Sequence, residues 1–181
     1  MMNIELESMA IEMPTVVGHP NREPFRGVLT LVDVVSDKAP AGARGHRVVL
    51  TRQAAETALA SLLGMALDYS LSLDCHDTRR KVGVITRAEI AGRKLELGGY
   101  LFAKDFPEIV KQIGRGHNCP KTFDAAGSQG HPCLAMSYEI ADARVADVKA
   151  KVWTLTRVTF TGAAILRRDK AAYRDTWIEL D

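Results

Sequence analysis

The sequence predicts a single α+β domain whose sheet is mostly antiparallel. From Phe25 onward, β-branched runs and runs of alternating apolar and polar residues recur, a pattern typical of strands with one buried face. Apolar residues at helical spacing mark two segments, 52–67 and 105–114. The chain has 181 residues, 46% of them hydrophobic, which is enough for one core and short for two.

The predicted domain spans residues 25–181 and follows an arm, 1–24, that three prolines and a glycine make irregular. The first predicted elements are a strand over 28–35, a helix over 52–67 capped by Thr51, and a strand over 71–76. Strands over 82–87 and 94–102 then form a hairpin that turns around Ala91 and Gly92, and a short helix follows from Asp105 to Gly114. The last predicted elements are a strand over 134–140, a long strand over 153–166, and a short helix that starts within 169–173, ahead of 177–180.

Charge and composition exclude several classes of protein. The formal net charge is +2 with acids and bases interspersed, so no basic stripe predicts binding to nucleic acid. No segment holds the roughly 18 consecutive apolar residues of a membrane helix. The three cysteines are an odd number, and residues 1–12 carry acids without a long apolar run. We therefore expect a soluble, unsecreted protein in a reducing compartment.

Short catalytic signatures are absent from the sequence. It contains no G-x-S-x-G elbow, no H-E-x-x-H, no phosphate-binding Walker loop and no G-x-G-x-x-G after a strand. What remains is a histidine, His76, and a serine, Ser137, each on the polar face of a predicted strand. A serine hydroxyl needs a neighbouring base, usually histidine, before it attacks a carbonyl.

A longer pattern extends over roughly residues 45–173. Its parts, in order, are Ser61-Leu62-Leu63-Gly64-Met65, Cys75-His76-Asp77, Lys81-Val82-Gly83-Val84-Ile85-Thr86, Leu95-Glu96-Leu97-Gly98-Gly99-Tyr100-Leu101-Phe102, Leu134-Ala135-Met136-Ser137-Tyr138-Glu139 and Phe160-Thr161-Gly162-Ala163-Ala164-Ile165-Leu166. In order and spacing this resembles the phage prohead proteases, which share the fold of the herpesvirus assemblins. The resemblance implies a barrel-like β core with surrounding helices, His76 as general base and Ser137 as nucleophile.

The third catalytic residue is not evident from the resemblance. Assemblins use a second histidine there, and many prohead proteases place a glutamate on the strand after the serine, but the matching stretch here, 155–160, contains neither. Glu139, Asp142, Asp147 and Asp77 are acids in the neighbourhood, although adjacent residues of a strand point to opposite faces. A Ser-His dyad, weak orientation by Thr156 or Thr159, or low activity all stay open.

Two further groups of residues are candidates for supporting roles. Arg167 and Arg168 follow the long strand where assemblins carry an arginine pair that supports the oxyanion; the alternative is a solvated strand end. Two His-x-Cys pairs flank a glycine-rich loop predicted over 115–132, and they supply the donors of a tetrahedral zinc site. These pairs comprise His117, Cys119, His131 and Cys133. A disulfide between the two cysteines and unconnected loop residues are the alternatives, and we expect that the four side chains do not converge on a metal.

The expected function is a serine endopeptidase of phage capsid maturation that cleaves scaffold and capsid-protein extensions by Ser-His acyl transfer. Its partners would be the scaffold and the major capsid protein, in the host cytoplasm inside the assembling prohead, with neither cofactor nor metal. Self-association stays open. The alternative is a catalytically weak or inactive scaffold or assembly protein on the same fold, which the missing third residue favours.

Overall fold

A computed structural model describes residues 8–116 and 133–181 and shows an α+β fold in which strands predominate. The strands of this part of the chain are β1 (Ser8–Ala10), β2 (Glu23–Leu31), β3 (Arg47–Leu50), β4 (Ala66–Tyr69), β5 (Lys81–Ala91), β6 (Lys94–Leu101), β7 (Leu134–Val145), β8 (Val152–Arg167) and β9 (Trp177–Leu180). The α-helices are α1 (Arg52–Ala58) and α2 (Pro107–Arg115).

The strands form one sheet that curls into a half-barrel. Its main path runs β3, β8, β4, β5, β6, β2, β9, while β1 adds to β5 and β7 adds to β8. Pairings of β8 with β3 and with β4 are parallel, and the other described pairings are antiparallel. The curl brings β7 across to β2, since a Cβ added at Gly27 would lie 2.7 Å from the Met136 sulfur. The predicted α+β class and mostly antiparallel sheet are confirmed.

The long strand β8 and the central hairpin lie where they are predicted, although β5 continues to Ala91, beyond its predicted end at Arg87. β5 and β6 pair in antiparallel register and turn around Gly92, whose φ of +60° is one that L-residues rarely adopt. β8 extends the predicted strand 153–166 by one residue at each end. Thr51 caps α1 as expected, because its side chain accepts a hydrogen bond from the Ala54 amide.

The predicted helix over 52–67 is wrong beyond Ala58. The chain continues as a 3₁₀ turn over Leu59–Leu62, and Gly64, at φ +78°, then ends the helical course. Residues 66–69 become β4 because both neighbouring strands, β5 and β8, offer them backbone partners. The buried face is nevertheless the expected one, since Leu59 and Leu62 lie in the core and Leu63 packs against it.

The predicted strand over 71–76 is also wrong, because this segment is a loop. Leu73 adopts a positive φ of 54°, which breaks the alternation of an extended chain. The hydroxyl groups of Ser70 and Ser72 donate to the Asp74 carboxylate, and such local hydrogen bonds compete with pairing into a sheet. Leu71 is therefore exposed while Leu73 is buried beside the end of β8.

The N-terminal arm and α2 differ in detail from expectation. Within the segment predicted to be irregular, residues 8–10 form β1 on the edge of β5, and β2 begins at Glu23. α2 starts two residues later than predicted and has no capping box, because its N-cap is Phe106 without a side-chain bond. Asp105 instead accepts a hydrogen bond from the Asn21 side chain at 2.8 Å. Among the described residues, no helix is long and apolar enough to cross a membrane.

The packing of the 3₁₀ turn that follows α1 leads to a stability prediction. Leu62 is fully buried, so Leu62→Ala should lower the free energy of unfolding by about 2–5 kcal/mol through lost transfer energy and a residual cavity. Urea denaturation followed by circular dichroism measures the change. Leu71→Ala is the matched control, because Leu71 is 70% exposed and should change stability by no more than about 0.5 kcal/mol. Equal losses in both variants would contradict the assigned packing.

Candidate active site

The candidate site lies on three adjacent strands of the sheet: β4, β8 and β7. In register, Asp68 on β4 and Ser137 on β7 both pair with Ala164 on β8. Residues in register across a sheet project from the same face. The Asp68 and Ser137 side chains therefore project from the same face of the sheet. Asp68 comes from the strand on one side of β8, and Ser137 comes from the strand on the other side.

Small residues on β8 leave room between these side chains. Glu139 pairs with Gly162, and a Cβ added at that glycine would lie 2.7 Å from Glu139 Oε2 and 3.2 Å from the Ala66 carbonyl oxygen. Gly162 and Ala164 are two residues apart and so share a face of β8. Their small size lets the carboxyl group of Glu139 lie over the sheet, toward β4.

The loop between β4 and β5 brings His76 to this face. Its first part is anchored at Leu73, whose carbonyl accepts a hydrogen bond from the Arg167 amide at 2.7 Å. Its second part is anchored next to the histidine, where the Asp77 amide donates to Asp68 Oδ1 at 3.0 Å. The imidazole thus reaches the site from a loop held at two points.

His76 lies between the serine and the glutamate. Its Nε2 is 3.2 Å from Ser137 Oγ, and its Nδ1 is 3.0 Å from Glu139 Oε1. A carboxylate only accepts, so the Nδ1 proton points to Glu139, and the neutral Nε2 accepts from the serine hydroxyl. The expected approach of His76 and Ser137 to hydrogen-bonding distance is confirmed. Histidine and glutamate side chains are 26% and 17% exposed, so the site is partly shielded yet open to a ligand.

Glu139 occupies the position that the sequence left unassigned. It lies on the same strand as Ser137, not on the following one, while Thr156 donates to the Arg144 carbonyl instead of contacting the imidazole. A signal for this was present in the sequence, because residues two apart on a strand share a face and Glu139 is two residues after Ser137.

Asp68 is a fourth polar residue of the site that the sequence did not indicate. It is fully buried, and its Oδ2 has no hydrogen-bond partner among the described residues. Burial, together with the nearby Glu139 carboxylate, raises the pKa of Asp68 from 3.8 to about 6, against the lowering effect of the Asp77 amide. Asp68 therefore holds a proton to higher pH than an exposed aspartate.

The same side chains also have the composition of a metal site. One ligand atom each from Asp68, His76 and Glu139 lie within 4.8 Å of one another. A histidine with two carboxylates suits zinc and other divalent ions. A cation bound there would replace the Nδ1 proton that now links His76 to Glu139, so metal binding and a hydrogen-bonded Ser-His-Glu triad exclude each other.

The two arginines predicted to support an oxyanion lie at the end of β8. The Arg167 amide donates to the Leu73 carbonyl and the Arg168 amide to the Cys133 carbonyl at 2.8 Å. The Arg167 guanidinium forms a bidentate pair with Asp169, while Arg168 is buried. Both backbone amides are thus engaged in this structure, and the oxyanion role of Arg167 and Arg168 stays a prediction.

Most of the residues predicted to form either a metal site or a disulfide lie outside the described part of the chain. His117, Cys119 and His131 lie outside the described residues, as does most of the predicted loop over 115–132, whose first residue is the last of α2. Cys133 lies directly before β7, the strand that carries Ser137. Cys133 is disulfide-bonded in this structure, so it is not available as the thiolate that a metal site requires. Whether the other three side chains converge stays untested.

Comparison with protein families and with curated proteins adds no relative. No family model matches the sequence, and no curated protein matches it at a significant level. Evidence on the function therefore comes from the geometry of Ser137, His76, Glu139 and Asp68.

The buried carboxyl of Asp68 leads to a prediction of pH-dependent stability. A folded-state pKa of about 6 against 3.8 in the unfolded chain means that folding favours the protonated acid. Stability due to this group is therefore complete below pH about 4 and is lost as the pH rises to about 6, by up to about 3 kcal/mol. Asp68→Asn, which stays neutral, should become more stable relative to wild type over this range in urea denaturation. Asp142→Asn is the control, because Asp142 is exposed on β7. A stability difference for Asp68→Asn that is constant from pH 4 to pH 7 would contradict the assignment.

Proposed function

We propose that this protein is a serine endopeptidase in which Ser137, His76 and Glu139 form the catalytic triad. The observation that carries the proposal is the chain of contacts from Ser137 Oγ to His76 Nε2 at 3.2 Å and from His76 Nδ1 to Glu139 Oε1 at 3.0 Å. A nucleophile, a base and an acid that orients the base are the parts required for acyl transfer by serine.

Each residue has a definite step in this mechanism. Ser137 Oγ attacks the carbonyl carbon of the scissile peptide while its proton passes to His76 Nε2. The Glu139 carboxylate accepts a hydrogen bond from Nδ1–H, which keeps Nε2 free to accept and stabilises the imidazolium that forms. His76 then returns the proton to the leaving amine, and water attacks the acyl-enzyme by the same route to release Ser137.

The proposed biological setting follows from the resemblance to the prohead proteases. A half-barrel sheet with a histidine and a serine in the order of that family supports a capsid-maturation protease of assemblin type. Substrates would be the scaffold and the extensions of the major capsid protein, within the assembling prohead. Placement of the acid two residues after the serine, on β7, differs from the glutamate on the following strand that the family pattern implies.

The alternative function is an inactive scaffold or assembly protein on the same fold. Its main support was the absence of an acid for His76, and the contact with Glu139 removes that support. The two functions differ in whether Ser137 is chemically activated.

Labelling with a fluorophosphonate tests the proposed triad directly. Wild-type protein should be labelled at Ser137, and Ser137→Ala should not be labelled at all. His76→Ala should remove most labelling, and Glu139→Gln should slow it by about 10²- to 10⁴-fold because the imidazole loses its orienting charge. Mass spectrometry of intact protein gives the rates.

Asp142→Asn controls for loss of an acid from β7. Wild-type protein that resists the reagent would favour the inactive scaffold, and unchanged labelling in Glu139→Gln would remove Glu139 from the triad.

The space above β8 gives a second test of the same site. Gly162→Ala places a methyl group 2.7 Å from Glu139 Oε2, so the carboxyl group must move and its contact with His76 should weaken. We expect labelling to slow by about 10-fold or more, since small displacements of catalytic groups are costly. Gly98→Ala on β6 is the matched control, because its added Cβ meets nothing nearer than 3.7 Å. Labelling of Gly162→Ala at the rate of Gly98→Ala would show that the glycine does not position Glu139.

A further inference from the structure

We propose that Asp68 is a positioning residue of this site: one of its oxygens holds the backbone next to His76, and the other, when protonated, donates a hydrogen bond to Glu139. This inference rests on the proposed protease function. Asp68 neither contacts the serine nor takes part in the triad, so its effect would pass through His76 and Glu139.

The first contact connects Asp68 to the base. Asp68 Oδ1 accepts from the Asp77 amide at 3.0 Å, and Asp77 directly follows His76. His76 lies on a loop, where no strand pairing fixes its backbone. Loss of this acceptor would release the chain next to the imidazole, whose Nε2 must stay close to Ser137 Oγ.

The second contact connects Asp68 to the acid. Oδ2 of Asp68 is buried without a hydrogen-bond partner among the described residues. The Asp68 carboxyl group has an oxygen within 4.8 Å of one of the Glu139 oxygens, over the small residues of β8. Two ionised carboxylates repel each other in such a place, whereas a protonated Asp68 becomes a donor to Glu139. Buried polar atoms are rarely left unpaired, which favours the protonated form.

The charged groups around Asp68 support a raised pKa of its carboxyl group. Glu139 on β7 raises the pKa of Asp68, in addition to burial, and His76 on the loop lowers it by a smaller amount. Lys81, its register partner on β5, is exposed. With a pKa of about 6, the hydrogen bond to Glu139 is present below that pH and is lost above it as Asp68 ionises.

Two substitutions separate positioning from a general structural role. Asp68→Asn keeps an oxygen for the Asp77 amide and supplies a permanent N–H donor for Glu139, so it imitates the protonated acid at every pH. Asp68→Ala removes both contacts. Asp142→Asn again controls for charge on the sheet.

The experiment measures fluorophosphonate labelling of Ser137 in full-length protein from pH 5 to pH 8, with circular dichroism at each pH to show that the variant is folded. We expect Asp68→Ala to react about 10- to 100-fold more slowly than wild type, and Asp68→Asn to recover most of that rate. The ratio of the Asp68→Asn rate to the wild-type rate should rise through pH about 6, while the Asp142→Asn ratio stays flat.

The outcomes distinguish this inference from the proposed function. A wild-type protein that is not labelled, or a Ser137→Ala variant that is, defeats the protease proposal itself. If wild type reacts but the Asp68→Asn ratio is flat or falls with pH, Asp68 does not act through a proton shared with Glu139. If Asp68→Ala is folded and reacts as fast as wild type, the anchoring of the His76 loop is refuted. Should Asp68→Ala not fold, the Asp68→Asn ratio decides.

Discussion

The candidate site depends on one steric constraint, the small size of the β8 residues between its two flanking strands. Ser137 and Asp68 are both in register with Ala164, and Glu139 is in register with Gly162. A larger side chain at either position of β8 would fill the space in which the carboxyl groups meet. The sheet curves around this polar region of β8, and the loop that carries His76 covers it. Both therefore help to form the site.

The different charge states of the two carboxyl groups follow from how deeply this geometry buries each of them. A carboxyl group that is fully buried beside another is destabilised when charged, and Asp68 accordingly keeps its proton to higher pH. Glu139 is only partly shielded and contacts His76, which can accept a positive charge during catalysis. Two acids of similar chemistry thus have different tasks in the proposed mechanism, and their surroundings account for the difference.

Prediction from the sequence is most successful where a β-prone run continues over many residues. The runs predicted over 94–102 and 153–166 match β6 and β8 closely, while β5 continues to Ala91, beyond its predicted end at Arg87. Buried and more exposed residues alternate along much of β5 and β6, whereas the second half of β8 is almost entirely buried. Short apolar runs were less informative. Residues 66–69 continue a helical pattern yet form β4, and residues 71–76 alternate yet form a loop, since backbone partners, Gly64 and local hydrogen bonds outweigh a pattern of a few residues.

The sequence by itself determined the α+β class, the mostly antiparallel sheet and the pair of residues, His76 and Ser137, that approach each other. These properties follow from the periodicity of apolar residues and from a resemblance in the order and spacing of short motifs. Both depend only on the order of residues along the chain. Only the tertiary structure decided that Glu139 contacts the imidazole and that Asp68 lies buried beside it. Neighbours across β8 are set by strand register, and Asp68 is 71 positions from Glu139 in the chain (139 − 68 = 71), so no local pattern predicts their contact.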